Sequence, residues 1–171
     1  VRKALGSRFS DNFRLYFAEN ADHQIYGIPR PLSYRLVEPS GLYERHLRDL
    51  SVWVENGTEP PTQTKYTIKD GQVRLSTSAK QRRGIQAIVD LTVEGKTRYT
   101  AKREQPIYFS ARVEVPANAG SVTSIEWDFE GEGAFVERDF GEAHSHMDVK
   151  VSHAYRKPGT YYPAVRVAVH A

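Results

Sequence analysis

The sequence predicts a mixed architecture, the closing strand and helix of an α/β domain followed by an antiparallel β-sandwich. Three observations carry this. In "SDNFRLYFAEN", residues 10–20, Phe13, Leu15 and Phe17 alternate with Arg14 and Tyr16 at strand period. In "SGLYERHLRDLSVWVENG", Tyr43, Leu47, Leu50 and Val54 recur at helical spacing, with Leu42, His46 and Trp53 beside them. Beyond about residue 85, segments rich in β-branched and aromatic residues alternate with Gly, Pro and Asn turns, the pattern of two packed antiparallel sheets.

Taken in order, "VRKALGSRF" reads as the last turns of a helix and residues 10–20 as the strand after it. A loop, "YGIPRP", leads to a helix over 41–56, with Ser40 as its N-cap and Gly57 just past its end. Two adjacent prolines in "TEPPTQT" stop the helix and favour an extended path. The organisation expected is therefore an incomplete domain over 1–60, a linker over 61–84 and a sandwich over 85–171. One strand between two helices encloses no core, because such a strand normally pairs with parallel neighbours in a covered sheet. Residues 1–60 are accordingly expected to be the end of a larger domain. The only methionine is Met147, so Val1 is not a translation start, in keeping with a portion of a longer protein.

Bulk composition excludes several classes of function. The 171 residues are 39% apolar, enough for a core. The net charge of +3 arises from 24 basic and 21 acidic residues spread along the chain, without the field that nucleic acid or an anionic membrane requires, so neither partner is expected. The densest basic run, "AKQRRG", is short and reads as a solvated loop. No apolar run approaches the length of a membrane helix, and no charged-then-apolar leader opens the chain. Cysteine is absent, which removes disulfides, thiolate metal sites and a cysteine nucleophile. Neither a cofactor nor a metal is expected.

"SIEWDFEGEGAF" followed by "VSHAYRKPGTYYPAVRVAV" resembles the polycystic-kidney-disease (PKD) domain pattern, through Trp127, Asp128, Phe129, His153, Tyr155, Pro158, Gly159 and Tyr161 in that order. The sequence departs from the pattern in reading E-G-E-G where many members read G-D-G. The resemblance implies an Ig-like sandwich acting as a spacer or interaction module, and it is compatible with a secreted or cell-surface setting. Trp127 and Tyr161 are expected as core anchors with polar tips, and Pro158-Gly159 as a fixed φ followed by a permissive one. Asp128, Glu130 and Glu132 stand around a glycine turn as in a calcium loop, but three carboxylates fall short of six oxygens, so a structural corner is expected. His144 and His146 share a face if that stretch is a strand, yet no third ligand accompanies them. His46 and His170 carry no special expectation.

His23 follows the first strand and precedes a loop and a closing helix. That order resembles the end of the α/β-hydrolase fold, where the triad histidine comes last after nucleophile and acid. The resemblance implies a serine-type hydrolase of a small-molecule ester or amide, with His23 as general base and then general acid. The chain contains no G-x-S-x-G. Nucleophile and acid are therefore expected from an upstream segment or a second chain, without which the portion is inactive. Asp22 is expected to point away from His23 and is not the acid. The alternative is a non-catalytic carbohydrate- or protein-binding adhesion sandwich, for which Tyr108, Tyr161 and Tyr162 are the candidate exposed aromatics; a purely architectural spacer is a third reading.

Overall fold

The computed structural model describes residues 1–23, 27–142 and 144–171. Tyr26, in the expected Gly/Pro loop, lies outside them. The segment opens with a broken helical tract, α1 (Arg2–Leu5), a 3-10 turn (Gly6–Arg8) and α2 (Phe9–Asn12), and continues through α3 (Arg30–Ser33) to α4 (Ser40–Asn56). A ribbon of β1 (Tyr66–Lys69) and β2 (Gln72–Leu75) and a short α5 (Ala79–Arg82) come next. Then follow β3 (Ile88–Val93), β4 (Ile107–Glu114), β5 (Ser121–Asp128), β6 (Val136–Glu137), β7 (His146–His153) and β8 (Ala164–His170). Among the described residues no helix is long and apolar enough to cross a membrane.

Two antiparallel three-stranded sheets, β3-β4-β7 and β6-β5-β8, form the sandwich. Period-2 alternation sorts their side chains. On the first sheet the rows Val89–Val113–Met147, Leu91–Ala111–Val149 and Val93–Phe109–Val151 turn inward. They meet Val122, Ile125 and Trp127 of β5, backed by Val165, Val167 and Val169 of β8. Val122 and Ile125 are three apart and would face opposite ways in a regular strand. A register shift between Val122 and Ser124 places the extra residue there, so both side chains reach the core.

Residues 13–18 are extended, as expected, but form no ladder. Backbone groups in this tract bond residues far along the chain instead of a ladder partner. Thr64 donates its N–H to the Leu15 carbonyl (2.9 Å) and accepts the Phe17 N–H on its hydroxyl (3.1 Å). Gln86 makes a reciprocal pair with the Glu19 backbone (2.7 and 2.9 Å), and the Glu19 carboxylate meets Arg82 at 2.7 Å. The stretch 61–84, expected as a linker, thus holds the β1-β2 ribbon and α5 and lies against residues 13–19. Its prolines do not keep it free of contacts. "AKQRRG", expected as a solvated loop, instead supplies α5 and the buried Arg82, whose guanidinium also donates to the Ser76 carbonyl at 2.7 Å.

Helix α4 matches the expected bounds, and Gly57 ends it at φ +69° with its N–H on the Trp53 carbonyl. Its start differs. Ser40 is the first helical residue, and the Glu38 carboxylate takes its N–H (3.1 Å) and its hydroxyl, so Glu38 supplies the acceptor expected from Ser40. Its facing differs too. Tyr43, Leu47, Leu50 and Val54 are 54, 69, 52 and 76% exposed, whereas the stripe one residue earlier, Leu42, His46, Asp49 and Trp53, is partly buried. A one-residue shift is a rotation of about 100°. Three contacts fix it: Tyr16 stacks on His46 (5.0 Å), the Arg14 guanidinium covers Trp53 (4.5 Å), and buried Arg45 bonds Asp49 (2.9 Å) and the Ala119 carbonyl (2.8 Å).

The phenol of Tyr16, donating to the Pro61 carbonyl, is pushed up from 10.0 to about 12, by burial first and then by the Asp49 carboxylate, against the opposing Arg14 and Arg45. Burial likewise raises Tyr155, whose hydroxyl donates to the Phe129 carbonyl at 2.8 Å. The unfolded chain loses these protons at lower pH than the folded one. The contribution of these two phenols to stability is therefore level below about pH 10 and falls as pH rises through 10 towards 12 and beyond. Melting temperatures measured across that window should drop steeply for the natural sequence and less for Tyr16→Phe and Tyr155→Phe. An unchanged slope in both variants would show that neither buried phenol drives the transition.

Candidate functional site

The turn after β5 begins with Asp128, which is 1% exposed. Its two oxygens accept the N–H groups of Gly131 (3.0 Å) and Gly133 (2.6 Å). Gly131, at φ +73°, passes so close to the Tyr162 carbonyl that a Cβ would lie 2.6 Å from that oxygen. Glycine is needed there both for its conformation and for space. Glu130 and Glu132 point outward, and Glu130 approaches His153 at 3.5 Å. The acidic residue at the head of the turn is thus committed to backbone amides, and the stretch is a corner built around a buried carboxylate.

An aromatic stack runs beside this corner. Trp127 lies parallel to Phe129 (5.8 Å), Phe129 to His153 (4.3 Å, 2°), and Tyr155, edge-on to His153, stacks on Tyr161 (3.9 Å). The polar tips behave unequally. Tyr161 donates to the Lys157 carbonyl at 2.8 Å and is only partly buried, while the fully buried Trp127 Nε1 has no hydrogen-bond partner among the described residues. Gly159, expected as a permissive φ, has no positive φ and lies by the Tyr161 ring, where a Cβ would make ordinary contact at 3.6 Å. Strand β7 begins at His146, leaving His144 outside it beside Glu142 (3.9 Å), so the two histidines do not share a strand face.

His23 lies two residues after Ala21, which follows a turn at 19–20 and forms an isolated parallel bridge with Val37. Its side chain is 88% exposed, and its Nδ1 lies 3.2 Å from Asp22 Oδ1, which also accepts the His23 N–H at 2.7 Å. Asp22 therefore turns back onto His23 rather than away from it. The local backbone bends instead of staying extended, and that bend brings adjacent side chains together.

The outward face of the β3-β4-β7 sheet gathers side chains that the sequence placed on three separate strands. Strand pairing sets Asp90, Arg112 and Asp148 in one row and Thr92, Ser110 and Lys150 in the next. Arg112 and Asp148 approach to 3.6 Å, and the six residues line a shallow trough of about 370 Å³. Tyr108, 59% exposed and paired with Ser152, extends the face by one further row. Of the three tyrosines singled out in the sequence, Tyr108 and Tyr162 are exposed and Tyr161 is held in the stack. Alternation of the strands was legible from the sequence, but the rows depend on register across β3, β4 and β7.

Replacing Asp128 by Ala should leave two partly buried amides without their acceptor and cost about 1–3 kcal/mol in denaturant unfolding. Adding calcium or a chelator should not change that difference. A chelator-induced loss of stability present in the natural sequence and absent from Asp128→Ala would instead make the corner a cation site.

Residues 90–170 match the PKD domain family, which takes in β4 to β8, most of β3, the Asp128 corner and the aromatic stack. Neither the curated proteins nor the solved structures contain a significant match, and the family match does not reach residues 1–89. Residues 90–170, which form the two-sheet sandwich, are thus similar to the PKD domain family.

Proposed function

We propose that the chain is a non-catalytic adhesion or binding module that holds a carbohydrate or protein partner on the outward face of the β3-β4-β7 sheet. The observation that carries this reading is the exposed Tyr108 beside the rows Asp90–Arg112–Asp148 and Thr92–Ser110–Lys150. A rigid aromatic supplies contact area at low conformational cost, and the flanking charges and hydroxyls supply directional hydrogen bonds. The PKD match supports it, since it covers this face. Affinity electrophoresis through a series of polysaccharides, with a glycan array and surface-display partners in parallel, tests it. The combined variant Tyr108→Ala/Arg112→Ala/Lys150→Ala should lose at least about tenfold in affinity while melting like the natural sequence, since all three changes lie on a solvated face. Equal binding by both proteins would place the contact elsewhere.

A second reading is favoured by the parallel bridge Ala21–Val37 and the accessible imidazole just after it. Residues 1–60 would then be the end of a serine-type α/β hydrolase, and the sandwich its accessory domain. His23 would act as general base and then acid on an ester or amide, with nucleophile and acid supplied by an upstream segment or a second chain. In such a larger protein His23→Ala should lower kcat by about 10³ or more with folding intact. Full activity in that variant would leave only the binding reading.

A further inference from the structure

Between the end of α2 with the tract that follows it, residues 12–16, and helix α4 lies a second cleft of about 350 Å³, outside the PKD-like sandwich. Phe13, Tyr16, Trp53 and Pro60 form its apolar and aromatic walls, and Leu50 stands at its exposed rim. Its charges are balanced. Arg14 pairs with Glu59 (2.7 Å) and Arg45 with Asp49 (2.9 Å), so no net field selects an anion or a cation. Three planar polar groups reach it from different elements with bonding capacity to spare. Asn12 donates its amide to the Arg8 carbonyl (3.0 Å), which leaves its own carbonyl oxygen uncommitted. Asp49 gives one oxygen to Arg45, and His46 stacks face-on against Tyr16, which leaves its ring edge for hydrogen bonding. Burial lowers the His46 pKa below 6.5, so at neutral pH the imidazole offers one donor and one acceptor.

We propose that this cleft is a binding site for a neutral, hydroxyl-bearing ring, a mono- or disaccharide unit. The ring's apolar face would lie against the aromatic walls, and its hydroxyls would donate to Asp49 and Asn12 and accept from His46. The volume sits near the lower end of the ~300–1,000 Å³ usual for ligand sites, which suits one or two rings rather than a long chain. A charged ligand would have to displace an existing ion pair and is disfavoured. The site is separate from the sheet face proposed above, so either can fail without the other.

The chain holds two tryptophans, Trp53 in the cleft wall and Trp127 in the sandwich core, and their indole N–H signals report on the two places separately. Glucose, N-acetylglucosamine and cellobiose are titrated to about 50 mM, well above a Kd of about 1 mM, with choline and glucuronate as charged controls. At least one neutral sugar should shift the Trp53 signal saturably and leave Trp127 in place. Binding should weaken at least about fivefold in Asn12→Ala and in Leu50→Glu, whose side chains sit at the exposed margin and do not hold the fold. The proposal is overturned if no neutral sugar gives a saturable shift, if choline or glucuronate binds more tightly than every sugar, or if both variants bind as well as the natural sequence.

Discussion

The packing of β4 against β5 is the constraint on which the rest of the sandwich depends. Ile107, Phe109, Ala111 and Val113 from one strand meet Val122, Ile125 and Trp127 from the other, and all are almost completely buried. Truncating a fully buried aromatic of this size costs about 3–5 kcal/mol, a large share of the stability of a small domain. Because Trp127 and Asp128 are adjacent, the strand must end in a turn that satisfies a buried carboxylate within five residues. The corner is thus a consequence of the core: its glycines supply the amides that make Asp128 tolerable beside the indole.

The first sixty residues are held by a different kind of contact. Their backbone hydrogen bonds go to Thr64 and Gln86, their rings to α4, and α4 to the sandwich through one buried guanidinium. Polar and stacking contacts therefore orient this layer, and the apolar stripe of α4 is left facing outward. Hydrophobic periodicity ranks faces of a helix by oiliness, whereas three directional contacts at Arg45, His46 and Trp53 decide which face is buried. One side of that helix walls the cleft, while its Arg45 reaches the turn before β5.

Legibility in the sequence follows the range of the interactions. The sandwich strands, the bounds of α4 and the Gly57 stop are set by local alternation and by one backbone conformation, and they could be read directly. The tract 13–18 could not, because its hydrogen bonds come from residues roughly fifty positions later, and a period-2 pattern does not say whether a ladder partner exists. For the same reason the cleft was invisible: Asn12, His46 and Pro60 belong to three unremarkable segments, and His46 looked like any helical histidine. The polar sheet face was half legible, since the alternation was plain but the alignment of Arg112 with Asp90 and Asp148 required the register.

Gly120 lies where a Cβ would stand 2.2 Å from the His170 carbonyl, and its neighbour Ala119 offers its own carbonyl to Arg45. The far end of β8, the turn before β5 and the middle of α4 therefore meet at one point. In mechanical terms this is a shared anchor. The start of β5 and the end of β8 are paired here, Ser121 with His170, so the turn that α4 grips is also the end of that ladder. A substitution that shifts this turn therefore acts at once on the end of the β5–β8 ladder and on the carbonyl that holds Arg45.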